Sequence, residues 1–337
     1  MTLVVHPHIH PRRTGVTTHT ESIVTALAGH VEAKVWGRTV SSELPHITLP
    51  EVLQRAKTED VIWHAHRNNE MLLGHSLRVL RPRLKLVYTR HGSYAPSGIT
   101  VKLAGTADAV VTLNQGAHQT LGVPSTLIPH GLDLNRVFPP ATSRAEAWSK
   151  LGLGGRYGVG VIGRVRENKG QGDFAAAIAP LLPTLPDWKP ILVGAARGKW
   201  ERWAQGLVQQ TGGALTLAGE HKDAVPFFQG LSILVNASHG ESFGLTILEG
   251  MAAGCCVIAS KLPHVPELID HGRTGFLYQP KDVTGLRALL KELMGDPQRA
   301  QQIGAAAAEE CIKRFDVKRE AQQLAELYAA VLERRSP

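Results

Sequence analysis

Short apolar runs of strand length alternate with helix-like stretches along the front of the chain: TLVVH (2–6), AKVWG (33–37), VIWHAH (61–66), LKLVYT (84–89), AVVTLN (109–114) and STLIPH (125–130). A strand buried on both faces is apolar throughout instead of alternating, so this pattern predicts a parallel sheet with helices on its faces. The pattern restarts at RYGVGVIG (156–163) and continues through KPILVG (189–194), ALTLAG (214–219), SILVNAS (232–238) and CCVIAS (255–260). Two α/β units are therefore predicted. Between them, FPPATSRAEAWSKLGLGG (138–155) brackets a short helical stretch with Pro-Pro and a glycine cluster, in the manner of an interdomain link. Past residue 281 the chain becomes helix-forming and charged, so it ends in helices and not in a further sheet.

Length agrees with two units, since 337 residues exceed what one hydrophobic core usually organises. No apolar run approaches the roughly 18 to 20 residues that span a bilayer, and residues 1–12 carry no leader pattern, so a cytoplasmic protein is expected. The three cysteines, Cys255, Cys256 and Cys311, offer neither a disulfide framework nor the ligand spacing of a structural zinc site. Net charge is +8, and the first 140 residues hold 14 Lys and Arg against 9 Asp and Glu. A dense piece of that excess, Arg78, Arg81, Arg83 and Lys85, could face an anionic membrane surface or an acidic acceptor. A solvated helix end preceding a strand explains it equally. No aromatic-interleaved basic patch accompanies the charge, so nucleic acid is not an expected partner.

The strongest chemical signal is HGESFGLTILEGMAAGCCVIAS (239–260), which reads as strand end, glycine-bearing loop, helix and next strand. Ligands of open α/β sheets bind at the carboxyl ends of strands, where this loop lies. Glu241 falls in the loop; Glu249 falls inside the helix beside Leu245, Leu248 and Ala252, on its apolar side. A carboxylate there is expensive unless something satisfies it. Ribose or sugar hydroxyls would do so without a countercharge, and the helix-start N–H groups of Phe243, Gly244 and Leu245 would suit a phosphate. The alternative is structural, with Glu241 capping the helix and Glu249 paired to an arginine. A second signal, VIGRVRENKG (161–170), ends a strand in glycine and follows it with Arg164 and Lys169. No Walker or G-x-G-x-x-G motif is present, so a diphosphate would be held by side-chain charge.

These residues resemble glycosyltransferase family 4, retaining enzymes of the GT-B fold, over nearly the whole chain. The most specific match is the Glu-x7-Glu element, Glu241 to Glu249 within GESFGLTILEGMAAG, joined by the GR…NKG segment, PHVPELIDHGRTGFL (263–277) and IPHGLDLNRVFPP (128–140). The resemblance implies two Rossmann-like parallel-sheet domains facing across a cleft. Residues 1–140 would bind acceptor, 141–155 would link, 156–315 would bind a nucleotide-sugar, and 316–337 would be a C-terminal helix crossing back to the first domain. It further implies that Arg164 and Lys169 contact the donor diphosphate, Glu241 the transferred sugar and Glu249 the ribose, with Ser242, Phe243, Gly244 and Leu245 completing the donor cradle. Gly15, in HPRRTGVTTHTESIV, matches a glycine loop near the donor phosphate, and His91, in LKLVYTRHGSY, matches a histidine near the sugar.

Within the family, RRTGVTTHT and VIWHAHRNNEML look similar to lipopolysaccharide-core mannosyltransferases, which implies GDP-mannose as donor and a lipid-linked core glycan as acceptor. Thr14 replaces the first glycine of the family's usual pair, His130 replaces a common asparagine, and Cys255-Cys256 replaces a small residue and proline. His6, His8 and His10 alternate as metal ligands on a strand would, but Pro7, Pro11 and an expected loop argue against a metal. No Asp-x-Asp pair is present either, so catalysis is expected to need neither metal nor cofactor beyond the donor. A UDP-sugar donor, an epimerase and a non-catalytic nucleotide-binding protein stay open as alternatives.

Overall fold

The computed structural model describes residues 1–92, 95–136 and 138–334. Its strands form two six-stranded parallel sheets. The first contains β1 (Leu3–His8), β2 (Glu32–Gly37), β3 (Val61–Ala65), β4 (Leu84–Arg90), β5 (Ala109–Thr112) and β6 (Thr126–Leu127), in the order β2-β1-β3-β4-β5-β6. The second contains β7 (Tyr157–Ile162), β8 (Trp188–Val193), β9 (Thr216–Gly219), β10 (Leu231–Asn236), β11 (Cys256–Ser260) and β12 (Phe276–Tyr278), in the order β12-β11-β10-β7-β8-β9. That order is doubly wound, and its strand sequence reverses between β7 and β10, where such sheets bind ligands. Eleven of the strands answer to the apolar runs. The three-residue β12, at the sheet edge beside β11, was not anticipated, because so short a run lacks a readable period.

Period-two alternation sorts the side chains of the first sheet to its two faces. Val4, Ile62, Val87 and Val111 pack with Ile23 and Val24 of the helix Gly15–Ala26 and with Leu324 and Tyr328 of the helix Val317–Glu333. On the other face Leu3, Val5, Trp63 and Leu86 pack with Met71 and Leu77 of the helix Asn68–Leu80. In the second sheet Val159, Val161, Ile233, Val235 and Ile258 meet Phe174 and Ile178 of the helix Gln171–Ile178, and Leu286 and Leu290 of the helix Val283–Gly295.

The chain divides into two compact units, residues 1–133 with 315–337 and residues 134–314. The C-terminal helix thus belongs to the first unit, stitched to its exit segment by Leu132 N–H to Phe315 O at 2.7 Å and Val317 N–H to Leu132 O at 3.0 Å. The division falls at 133/134, not within 141–155. Residues expected as a link are packed into the second unit, where Trp148 of the helix Arg144–Ser149 is buried against Gly158 of β7. A Cβ on Gly158 would stand 2.3 Å from the Trp148 ring. The Arg144 guanidinium donates to the carbonyls of Gln229 at 3.0 Å, Leu231 at 2.6 Å and Ala253 at 2.7 Å. Pro-Pro and glycine bracketing marked a break in the chain; it did not reveal that the bracketed helix had a hydrophobic anchor.

Two further readings change. β1 runs through His8, so His6 and His8 lie buried in a strand and not in a loop. Pro7 is tolerated there because pairing of β1 to β3 stops at Val5, leaving no ladder bond for the missing N–H to break on that side. The basic cluster is largely engaged within its own unit. Arg78 pairs with Asp108 at 3.2 Å, Arg81 donates to Leu53 O at 2.8 Å, Arg83 donates to Thr58 O, and Lys85 is buried in β4. Among the described residues, no helix is long and apolar enough to cross a membrane.

Trp148→Ala is expected to destabilise the second unit by about 3 kcal/mol, the range of large aromatic deletions from a core. Urea denaturation checks this; a change within about 0.5 kcal/mol, as for a surface linker position, would return the segment to the role of a link.

Candidate functional site

Two βα turns of the second unit leave adjacent strands and meet. Beyond β7 the chain passes Gly163 and Arg164, makes a 3-10 turn at Glu167–Lys169, and enters the helix Gln171–Ile178 through Gly170. Beyond β10 it runs through Ala237 to Gly244, then enters the helix Leu245–Ala252. Gly170 has φ of 69°, and a Cβ there would stand 1.9 Å from the Ala237 carbonyl oxygen. Only glycine lets the turns come this close. Their contact is completed by His239 N–H to Asn168 O at 2.9 Å and by a His239 Nε2 to Asp173 Oδ2 contact of 2.7 Å.

This packing brings Lys169 and Glu241 together: Nζ donates to Oε2 at 2.7 Å, across 72 residues of sequence. The Ser242 N–H donates to the other oxygen, Oε1, at 3.0 Å. Arg164 stands at the end of β7 with an exposed side chain. The helix Leu245–Ala252 starts at Gly244, φ 94°, without a side-chain cap, and no acidic residue occupies its first turn. An uncapped helix start beside a lysine is an anion-binding arrangement, since the terminal N–H groups and the helix dipole both favour negative charge. Phe243 and Gly244 are buried, Leu245 is half-buried and Ser242 is exposed.

Glu249 lies one turn into that helix. Burial pushes its carboxyl up to about 7; the Arg136 guanidinium pulls the other way and Asp223 adds to the rise. Arg136 does not neutralise it, because it pairs with Asp223 at 3.1 Å. Glu241 thus bonds a lysine from the neighbouring turn as well as the Ser242 N–H, and the arginine whose charge acts on Glu249 forms its ion pair with Asp223. His264 is a second unsatisfied group. It is buried, neither ring nitrogen has a partner among the described residues, and burial lowers its pKa against the opposing charge of Glu241.

In the first unit, Gly15 is exposed at the start of the helix Gly15–Ala26, after Thr14. His91 follows β4, half-buried, and both of its ring nitrogens face other histidines: Nε2 is 3.0 Å from His66 Nδ1 and Nδ1 is 3.1 Å from His130 Nε2. Burial holds its pKa well below the usual histidine range, so the ring is neutral.

Comparison with known proteins places this geometry. Residues 156–296 match the family model described as glycosyl transferases group 1. The lipopolysaccharide core biosynthesis mannosyltransferase LpcC of Rhizobium leguminosarum bv. viciae is 31% identical, over 98% of this chain and 96% of its own length. The corresponding LpsB of Rhizobium meliloti (strain 1021) is 30% identical over 98% and 97%. This chain is a group 1 glycosyl transferase. Its fold is shared with Anabaena HepE, crystallised with UDP and glucose, at a TM-score of 0.84 and 22% identity, covering 98% of this chain and all of that one. The architecture is the GT-B type.

Several groups around the candidate site escaped the sequence reading. Asp173 and His239 are 66 residues apart, Arg136 and Asp223 are 87 apart, and no spacing rule joins either pair. His264 carried only the signal of lying within PHVPEL. All become visible once the strand ends are placed side by side.

Gly170→Ala is expected to lower the denaturation free energy by more than about 2 kcal/mol, because it adds both a left-handed strain and a backbone clash. A loss below about 0.5 kcal/mol in a urea titration would mean that the turns are not locked at this point. Glu249 ionises near 4.5 when exposed and near 7 in the fold, so between those values the folded chain holds the proton more tightly. Its contribution to stability is complete below pH 4.5 and is lost as pH rises to 7. Glu249→Gln should therefore stabilise the chain at pH 8, on the order of 1 kcal/mol after allowance for solvent screening, and leave it unchanged at pH 4.5. Equal effects at both pH values in thermal melts would contradict the assignment.

Proposed function

We propose that this enzyme transfers mannose from GDP-mannose, with retention at the anomeric carbon, to a hydroxyl of a lipid-linked glycan such as a lipopolysaccharide core. The observation that carries the reading is the meeting of Lys169 and Glu241 beside an uncapped helix start. In this reading Arg164 and Lys169 hold the diphosphate, with the backbone from Ser242 to Leu245 on the same group. Glu241 accepts from the transferred sugar and Glu249 from the ribose. Bound donor would draw Lys169 onto phosphate and free Glu241 for a sugar hydroxyl, so the ion pair presets both groups. Cationic side chains and helix N–H groups would stabilise the leaving diphosphate, the part a divalent ion plays elsewhere, so transfer needs no metal. The names of LpcC and LpsB support mannose and the core acceptor.

Gly15 is proposed to approach the donor phosphate through its helix start. His91 is proposed to lie near the sugar, and with both ring nitrogens occupied by histidines it would serve there by shape and by its backbone. Action at the cytoplasmic membrane face belongs to the same proposal. Its support is the exposed apolar set Leu72, Val79, Leu80 and Ile99 of the first unit.

A thermal-shift series with GDP, UDP, ADP and their sugars tests the donor, with the largest rise expected for GDP and GDP-mannose. Lys169→Ala should lower kcat/KM at least about a hundredfold, as expected for loss of a leaving-group contact, while the melting profile keeps its cooperative form. Near-normal transfer by that variant removes Lys169 from the diphosphate, and a preference for UDP replaces the guanine nucleotide with a uracil one.

A further inference from the structure

The first unit buries an unusual amount of imidazole. His6, His64 and His66 come from β1 and β3 and the residue just beyond it, His19 from the helix Gly15–Ala26, and His130 from the segment after β6; each is at most 4% exposed. One carboxylate, Glu320 of the C-terminal helix, is buried among them at the same level. Among the described residues, two sets of three have donor atoms close enough to share a cation: His6, His64 and His66, and His19, His130 and Glu320. Hydrogen bonds account for the first set. His64 Nδ1 lies 2.6 Å from the Tyr328 hydroxyl and Nε2 lies 2.7 Å from the Thr89 hydroxyl, so neither nitrogen is free for a metal.

The second set is different. Glu320 Oε1 is 3.2 Å from His19 Nε2 and 3.2 Å from His130 Nδ1, while Oε2 accepts the Gly131 N–H at 2.7 Å. Imidazole–carboxylate bonds that carry charge are shorter, about 2.7 to 2.9 Å, and the His239–Asp173 contact in this same chain is 2.7 Å. Both contacts are at the long end of the hydrogen-bond range and converge on one oxygen. They are also close to the edge of a tetrahedral coordination shell, because zinc–nitrogen and zinc–oxygen bonds of about 2.0 to 2.1 Å put neighbouring donors about 3.3 Å apart. Two of the three groups are supported from behind as metal ligands usually are, while His19 Nδ1 is buried without a partner among the described residues. His130 turns its other nitrogen to His91 Nδ1 at 3.1 Å, and the Gly131 N–H holds the second carboxylate oxygen. The His19 and His130 ring centroids lie 3.6 Å apart, a separation that disfavours two imidazolium cations.

We propose that His19, His130 and Glu320 bind one divalent transition-metal ion in the core of the first unit. Two imidazoles and a carboxylate suit zinc, and the same donors take cobalt as a spectroscopic substitute. The ion would clamp three distant segments, the first helix, the exit segment at His130 and the C-terminal helix, and its role would be structural. Arg164, Lys169, Glu241 and Glu249 lie in the second unit, so the ion would not replace any of the groups proposed there to hold the donor diphosphate and ribose.

Because the ligands are buried, the ion would enter during folding. The test uses the full chain without a polyhistidine tag, expressed in minimal medium supplemented with zinc or with cobalt, then dialysed against metal-free buffer. About one ion per chain is expected by elemental analysis, with the intense visible bands of tetrahedral cobalt in the second preparation. Glu320→Gln and His19→Gln should each lose the ion, with a fall in melting temperature of roughly 5 to 10 °C. Should a variant fail to fold, the cobalt spectrum of the unaltered chain still decides. Wild-type protein holding less than about a tenth of an ion per chain, or metal retained equally by the variants at other histidines, overturns the proposal.

Discussion

The candidate site depends on one close approach, that of the Gly170 backbone to the carbonyl of Ala237. A side chain at residue 170 would push the two βα turns apart, and with them Lys169 and Glu241. The 2.7 Å contact between those groups is half-exposed on the lysine side, at 30% against 16% for the glutamate. A pair in that setting contributes little to stability, about 0 to 1 kcal/mol. Its weakness suits the proposed use, since an incoming diphosphate can take the lysine away at small cost. Rigidity is supplied by the glycine contact and the His239–Asp173 bond, leaving the charged pair free to exchange partners.

The two units use the same parallel-sheet frame for different electrostatic ends. In the second, Lys169 and Glu241 meet beside an uncapped helix start at the strand ends, near solvent, where charge is tolerable. In the first, neutral imidazoles fill the space between the sheet and the C-terminal helix, and burial holds His64, His66 and His91 uncharged. Glu320 is the exception. Its charge in that interior is held by His19, His130 and the Gly131 N–H, and a backbone glycine is required there because a Cβ on Gly131 would stand 2.4 Å from the Val317 Cα.

The amino-acid sequence determined by itself the two α/β units, eleven strands, the placement of both chemical motifs at strand ends, and the family. Those features are local, or repeat at a fixed period, and each is written in the residues that form it. Glu249 on the apolar side of its helix was legible for that reason, as was the uncapped glycine start before it. What only the tertiary structure decided is pairing across distance. Lys169 with Glu241, His239 with Asp173, Arg136 with Asp223, and Glu320 with His19 and His130 join residues whose separations follow no rule. Trp148 gave no local sign that it anchors a supposed link, and His91 none that both of its nitrogens were already taken. Strand order puts these groups side by side, and strand order is set by how whole helices and sheets bury their apolar faces together, a property no short window of sequence contains.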